Sequence, residues 1–147
     1  MNTMYQVIKT YGNDRGLSTA FRQWKAESHC RLIHGYSLGF KITFQAETLD
    51  ARNWVIDFGD LGSLKKFLED TFDHTTVVAE DDPHLEKFKS LDECGILNLV
   101  TLPHTGCEMF AKHVYEFCVK EYQNFRVKVV SVECFEHGAN SAVFGNF

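Results

Sequence analysis

Three groups of side chains have the types and spacing that chemistry requires. His29, Cys30 and His34 place a thiol and two imidazoles within six residues, a set that could bind a metal or act as a Cys–His acid/base pair. Tyr36 lies two residues beyond His34. On an extended strand the two side chains leave the same face about 6.6 Å apart, so they can converge on one ligand. The competing reading is structural: His34 a satisfied core histidine and Cys30 a small buried hydrophobe. The second group is Asp73-His74, where a carboxylate beside an imidazole can orient it and tune it for proton transfer near neutrality. A histidine at a helix C-terminus would look the same. The third is Glu136, with the parity of Val130, Val132 and Cys134. A carboxylate at the end of an apolar strand face either reaches water or binds a ligand in a pocket, where paired N–H donors such as those of a pterin or guanine edge suit bidentate acceptance. Glu133, of opposite parity, is the weaker candidate. Arg22, Lys25 and Arg31 give the same stretch local positive charge that either meets phosphates, with Arg22 and Lys25 preferred, or stays solvated.

These residues need elements to position them. From His34 to Ala46, residues His34, Tyr36, Leu38, Phe40, Ile42, Phe44 and Ala46 alternate with Gly35, Ser37, Gly39, Lys41, Thr43 and Gln45, the pattern of a half-buried strand. Trp54, Ile56 and Phe58 alternate in the same way and predict a second strand paired to the first as a hairpin, with Asp57 in a structural role near the next helix. Residues 5–9 read as a short strand and Tyr11 to Asp14 as a turn. Leu61, Leu64, Phe67, Leu68 and Phe72 fall at helical spacing, with Asp60 or Ser63 as cap. Residues 80–95 read as an acidic loop around Pro83 with one helical turn at most, and Ile96 to Leu102 as a short strand. Thr105-Gly-Cys-Glu108 has the form of a capping box before a helix carrying Phe110, Val114, Phe117 and Cys118 on one face. Arg126 to Glu136 and Ser141 to Phe144 are β-rich. The element order predicts an α+β fold, with helices on one face of an antiparallel sheet.

Composition sets the outer bounds. A length of 147 residues without repeat or linker predicts one domain over 1–147. The net charge of -5 and the lack of a Lys/Arg-rich run argue against nucleic acid as partner. No apolar run is long enough to span a membrane, and Met1 to Tyr5 does not open a signal peptide. Five cysteines without a C-x-x-C pair speak against a disulfide framework or zinc ribbon, which leads to the expectation of a cytoplasmic protein with reduced thiols.

Taken in order, these motifs resemble the 6-pyruvoyl-tetrahydropterin synthase family and its bacterial branch, the 6-carboxy-tetrahydropterin synthases. Cys30-x-x-x-His34-Gly35 resembles the family's Cys-x-x-x-His-Gly-His. Asn53 to Leu61 resembles its Asp-Phe-x-x-Leu segment, and Phe72-Asp73-His74 its Leu-Asp-His. Glu108 resembles its glutamate at a helix start, and Val132 to Glu136, with Phe144, its pterin-anchoring terminal strand. The resemblance implies a tunnelling fold of a four-stranded antiparallel sheet with two helices on one face. It implies assembly into a homohexamer, a dimer of trimers, with sites at subunit interfaces. The implied activity is that of a lyase acting on 7,8-dihydroneopterin triphosphate on the route to 7-deazaguanines such as queuosine. By carry-over Cys30, Asp73 and His74 are catalytic, Cys30 as general base, and Glu136 and Glu108 bind substrate.

The resemblance also implies a zinc cofactor held by three histidines. His34 keeps one position, but Phe21 and Tyr36 stand at the other two. Three readings follow: His29, with Cys30 or an acid, joins His34 in a rebuilt metal site; Tyr36 and Cys30 work as acid and base without metal on a related pterin; or the domain is a non-catalytic relative that binds a pterin or nucleotide or serves only as an assembly subunit.

Overall fold

The computed structural model describes residues 3–147; Met1 and Asn2, the first residues of the N-terminal stretch read above, lie outside the described residues. The chain runs β1 (Tyr5–Tyr11), β2 (Leu17–Phe21), β3 (His34–Ala46), α1 (Gly62–Phe72), β4 (Thr75–Ala79), α2 (Leu85–Glu93), β5 (Leu99–Leu102), α3 (Cys107–Tyr122), β6 (Lys128–His137) and β7 (Asn140–Gly145). Short 3-10 turns occupy Asn13–Arg15, His29–Arg31 and Phe58–Asp60. None of the described helices is long and apolar enough to cross a membrane.

β3 organises the sheet. Its even-numbered residues Leu38, Phe40, Ile42, Phe44 and Ala46 are buried, as the alternation predicts. One edge pairs antiparallel with β1 along its C-terminal half and with β2 along its N-terminal half, so β1 and β2 act as one interrupted strand. The other edge pairs antiparallel with β6, which pairs with β7. The expected four-stranded antiparallel sheet is corrected: five strands, β1, β2, β3, β6 and β7, make the antiparallel part, and the sheet is larger and mixed. β4 adds parallel to β2 and β5 parallel to β4, giving seven strands and three helices among the described residues. α1 and α3 cover the buried face through tilted and edge-to-face aromatics: Phe40 to Phe72 at 4.9 Å, Phe72 to Phe110 at 5.2 Å and Phe110 to Phe21 at 5.1 Å between ring centroids.

Four local expectations are corrected. Residues 54–58 form no strand: Val55 is 1% exposed while Trp54 and Phe58 are 44% and 45% exposed, the reverse of the expected faces. Asp50 accepts the amides of Arg52 and Trp54, and Arg126 donates to the carbonyls of Thr48 and Val55, so side chains rather than a ladder hold this loop. Neither Asp60 nor Ser63 caps α1; Asp57 instead accepts the Gly59 amide at 2.8 Å in the turn that leads into it. Thr105 makes no capping box, because its hydroxyl donates to the Arg22 carbonyl and Gly106 takes the N-cap position. Finally, residues 85–93 are a helix, α2, rather than a loop.

Candidate functional site

The N-terminal ends of β3 and α3 and the C-terminal ends of β2 and β6 meet at one corner of the sheet. The pairing puts Phe21 opposite His34 and Thr19 opposite Tyr36. Their rings form a triangle on the helix-covered face: Phe21 to His34 5.0 Å, Phe21 to Tyr36 6.0 Å and His34 to Tyr36 5.4 Å between centroids, with Phe21 only 4% exposed. Burial pushes the Tyr36 phenol above its ordinary pKa, and the negative charges of Glu136 and Cys30 push it further. Glu136 and Cys30 therefore each lie near enough to Tyr36 to act on it electrostatically. The His137 ring lies 6.2 Å from that of Tyr36.

Each member is held from outside the cluster. Cys30, a half-buried free thiol, sits in the 3-10 turn His29–Arg31, capped by Ser28, and its carbonyl accepts the Gln23 amide at 2.9 Å. Glu136 lies at an irregularity in the β6–β7 ladder between Phe135 and His137, a place where a strand can re-aim a side chain. A second irregularity, opposite Thr43 and Phe44, takes Val130 off the buried face, so Glu136 follows the buried residues Val132 and Cys134 but not Val130. Asn13 pins this corner: its side-chain amide donates to the carbonyls of Ser37, Phe135 and Glu136 while its own carbonyl accepts from Ser37. Composition and periodicity gave no signal for Asn13. Its neighbours identify it only once the strands are placed. Glu108 is exposed in the first turn of α3, near the buried Cys134 thiol, whose pKa rises from contact with the Cys107 thiol and from burial.

Asp73 and His74 are elsewhere. His74 lies just beyond Asp73, the C-cap of α1, in the left-handed region (φ 57), a conformation in which His is tolerated, and its amide donates to the Ser18 carbonyl at 2.7 Å. Its Nδ1 lies 2.8 Å from the Asp73 carboxylate, which fixes the ring and leaves Nε2 facing outward on a side chain 85% exposed. His74 borders an open cleft of about 450 Å³ whose lining includes Ser18, Ala20, Gly35, Ser37 and Thr76, together with Thr19 and Tyr36. Ser18, Ala20, Gly35 and Ser37 alternate along β2 and β3 with Thr19, Phe21, His34 and Tyr36, so their side chains leave the opposite face of the sheet. Among the described residues, no hydrogen bond joins the Asp73–His74 pair to the Cys30 corner.

A groove of about 490 Å³ beside β1, lined by Tyr5, Leu49, Trp54 and Phe58, is larger than the His74 cleft. Its one carboxylate, Asp57, is engaged as a cap, which leaves it little to do chemistry with. The basic residues of the 22–31 stretch are also engaged. Arg22 makes two hydrogen bonds to Asp82, Lys25 lies 3.6 Å from Asp81, and Arg31 donates to the Ser28 carbonyl. Arg22 is thus a structural partner rather than a free phosphate ligand.

The profile of the 6-pyruvoyl tetrahydropterin synthase family matches residues 13–146. The chain belongs to that family. A 6-carboxy-5,6,7,8-tetrahydropterin synthase of Aquifex aeolicus (strain VF5) is 27% identical over 137 residues, covering 88% of this chain and 83% of that protein. An uncharacterized protein of Wolinella succinogenes superposes with a TM-score of 0.86 at 21% identity, covering 99% of this chain and all of that one (100%). A catalytic-residue mutant of 6-pyruvoyltetrahydropterin synthase from Plasmodium vivax superposes with a TM-score of 0.71 at 12% identity, covering 97% and 98%. These structures share the fold.

The zinc that the resemblance implies can be tested against the donors present. His34 is well prepared as a ligand: its Nδ1 lies 2.7 Å from the Leu32 carbonyl, leaving Nε2 free. Phe21 has no donor atom, and the conditions that raise the Tyr36 pKa keep its phenol neutral. His29 is exposed on the Cys30 turn, and among the described residues no group of three His, Cys, Asp or Glu side chains is placed to hold a metal ion. A catalytic zinc needs three protein ligands, so this donor set does not fit it.

Proposed function

We propose that the protein is a 6-carboxy-tetrahydropterin synthase-like lyase that converts 7,8-dihydroneopterin triphosphate and water to 6-carboxy-tetrahydropterin, acetaldehyde and triphosphate, a step towards 7-deazaguanines such as queuosine. The observation that carries this reading is the meeting of Cys30, Tyr36 and Glu136 at one corner of the sheet, in a chain of this family. Glu136 accepts the paired N–H groups of the pterin edge, a bidentate contact that fixes the ring plane. Glu108, in the first turn of α3, faces the same substrate. The Cys30 thiolate takes a proton from the substrate side chain, and the Asp73–His74 pair returns one. The pair is outside the Cys30 corner of its own chain, so a second copy supplies it, in keeping with the homohexameric dimer of trimers that the resemblance implies. The donor set does not fit zinc, and no step is assigned to one.

A second reading has its own supporting observation. The Phe21, His34 and Tyr36 rings pack together at the three positions where the resemblance implies zinc ligands, which suits a non-catalytic relative that binds a pterin or nucleotide. Incubation of the purified protein with 7,8-dihydroneopterin triphosphate separates the two. The lyase reading expects acetaldehyde release that falls by at least about 10²-fold in Cys30→Ala, the size of a lost general base. Saturable pterin binding with no acetaldehyde would reject the lyase and leave the binding protein.

A further inference from the structure

We infer that the Arg22–Asp82 ion pair is a positioning device for the Cys30 thiol. Arg22 follows the last residue of β2, and Asp82 lies in the connection between β4 and α2. The guanidinium approaches the carboxylate side-on, with Nε 2.8 Å and Nη2 2.7 Å from the two oxygens. The Asp82 side chain is 1% exposed and that of Arg22 17%. Contact with Arg22 holds the Asp82 carboxyl below its ordinary pKa, and Asp82 raises that of Arg22.

The contacts around this pair lead to the thiol. The remaining guanidinium nitrogen, Nη1, donates to the Arg31 carbonyl at 3.2 Å, and the next residue, Gln23, donates its amide to the Cys30 carbonyl at 2.9 Å. Two adjacent carbonyls of the Cys30 turn are thus tied to two adjacent residues at the end of β2. The anchor is itself braced: Asp82 accepts the His84 amide at 2.9 Å, and the Arg22 carbonyl accepts the Thr105 hydroxyl at 2.7 Å just before α3. Three separate loops therefore meet at Arg22. The turn that carries Cys30 is otherwise exposed at His29, Arg31, Leu32 and Ile33, with little apolar contact to order it. A planar fork anchored on a desolvated carboxylate supplies that order, and a lysine has neither the three aligned donors nor the reach to replace it.

The structural part of this inference stands without the proposed reaction; its kinetic consequence rests on the reading of Cys30 as the reacting thiol. Removing one partner alone would leave a buried charge unpaired, so the informative variant replaces both with apolar residues of similar bulk, Arg22→Met/Asp82→Leu. The measurement is the rate of Cys30 alkylation by iodoacetamide in the folded full-length protein, read from the mass of its peptide, with the exposed Cys94 thiol as internal reference. The expected result is an increase of about tenfold at Cys30, with Cys94 unchanged, as the turn opens more readily. Acetaldehyde release at saturating substrate falls about 10²-fold while KM moves by less than about threefold, the signature of a displaced group rather than a lost contact. Arg22→Lys does not restore either value. Asp82→Asn, which keeps one acceptor oxygen for Arg22 Nη2 and the His84 amide but sets an NH2 against Arg22 Nε, gives the same direction with smaller size if the double variant does not fold. A folded variant in which Cys30 reacts at the wild-type rate overturns the inference. Faster Cys30 alkylation in a protein whose wild-type form releases no acetaldehyde upholds the positioning role and rejects the lyase.

Discussion

Tyr36 carries most of the information at the scale of single residues. It shares a strand face with His34, touches the rings of both His34 and Phe21, and is raised in pKa by burial and by the charges of Glu136 and Cys30. A neutral phenol and a phenyl ring leave His34 as the one zinc donor among the three clustered rings of Phe21, His34 and Tyr36. The purified protein is therefore expected to carry less than about 0.1 zinc per subunit by elemental analysis, while Phe21→His/Tyr36→His, which supplies two more imidazoles at the same ring positions, takes up close to one. A wild-type protein with stoichiometric zinc that disappears in His29→Ala would show instead that a metal site forms around the Cys30 turn. The thiol, Asp73-His74 and Glu136 were legible in the sequence because each is a reactive type within a short motif. Asn13 and the Arg22–Asp82 pair were not, because their partners lie 24, 60 and more than 100 residues away and only the fold brings them together.

At the scale of elements, the sequence read best where one face is buried and the other is not. β3, α1 and α3 follow their predicted periods: Leu64, Leu68 and Phe72 are buried along α1, and Phe110, Val114 and Cys118 along α3. β4 escaped because a central parallel strand buries both faces; all five of its residues are buried, which removes the alternation. α2 escaped for a different reason: none of its residues is buried, and its apolar stripe is only Leu85, Phe88 and Leu91, set among charged residues next to Pro83. The 54–58 segment misled because Trp54, Ile56 and Phe58 do alternate, but Asp50 and Arg126 hold the chain in a loop. Gly39 shows a tertiary requirement of a different kind: a Cβ there would lie 2.2 Å from the Phe135 ring, so the ring's position against β3 depends on glycine. The pinning of β6 by Asn13 gives a test at this scale. Asn13→Ala removes the donor that holds the carbonyls of Phe135 and Glu136, so pterin affinity should fall by the equivalent of about 1–3 kcal/mol in KM or a binding isotherm. An unchanged affinity would mean that Glu136 is placed by the β6–β7 pairing alone.

The whole molecule responds to pH through groups that packing has shifted. His113, half-buried on α3 against the Phe67 ring of α1 at 5.3 Å, has its pKa lowered by burial, partly offset by Glu116. A lowered pKa in the folded state means that its contribution is present above the unfolded value of about 6.5 and is lost as pH falls through the folded value. Asp82 adds a second loss further down, below the ordinary carboxylate range of about 3.9. Thermal stability should therefore decline as pH drops from about 6.5 towards 5, and His113→Gln should flatten that decline; an identical slope in the variant would place its origin elsewhere.

The central claim also belongs to the whole molecule: one chain holds the Cys30, Tyr36 and Glu136 half of a site, and another chain supplies Asp73 and His74. Coexpression of Cys30→Ala with His74→Ala chains, with mixed assemblies verified by mass, tests it most directly. Each variant alone is inactive. If the site spans two copies, random mixing places an intact Cys30 opposite an intact His74 in about one quarter of sites, so about one quarter of wild-type acetaldehyde release returns. A verified mixture as inactive as its parents would contradict a shared site, because every chain would then lack one residue of a site it must complete alone.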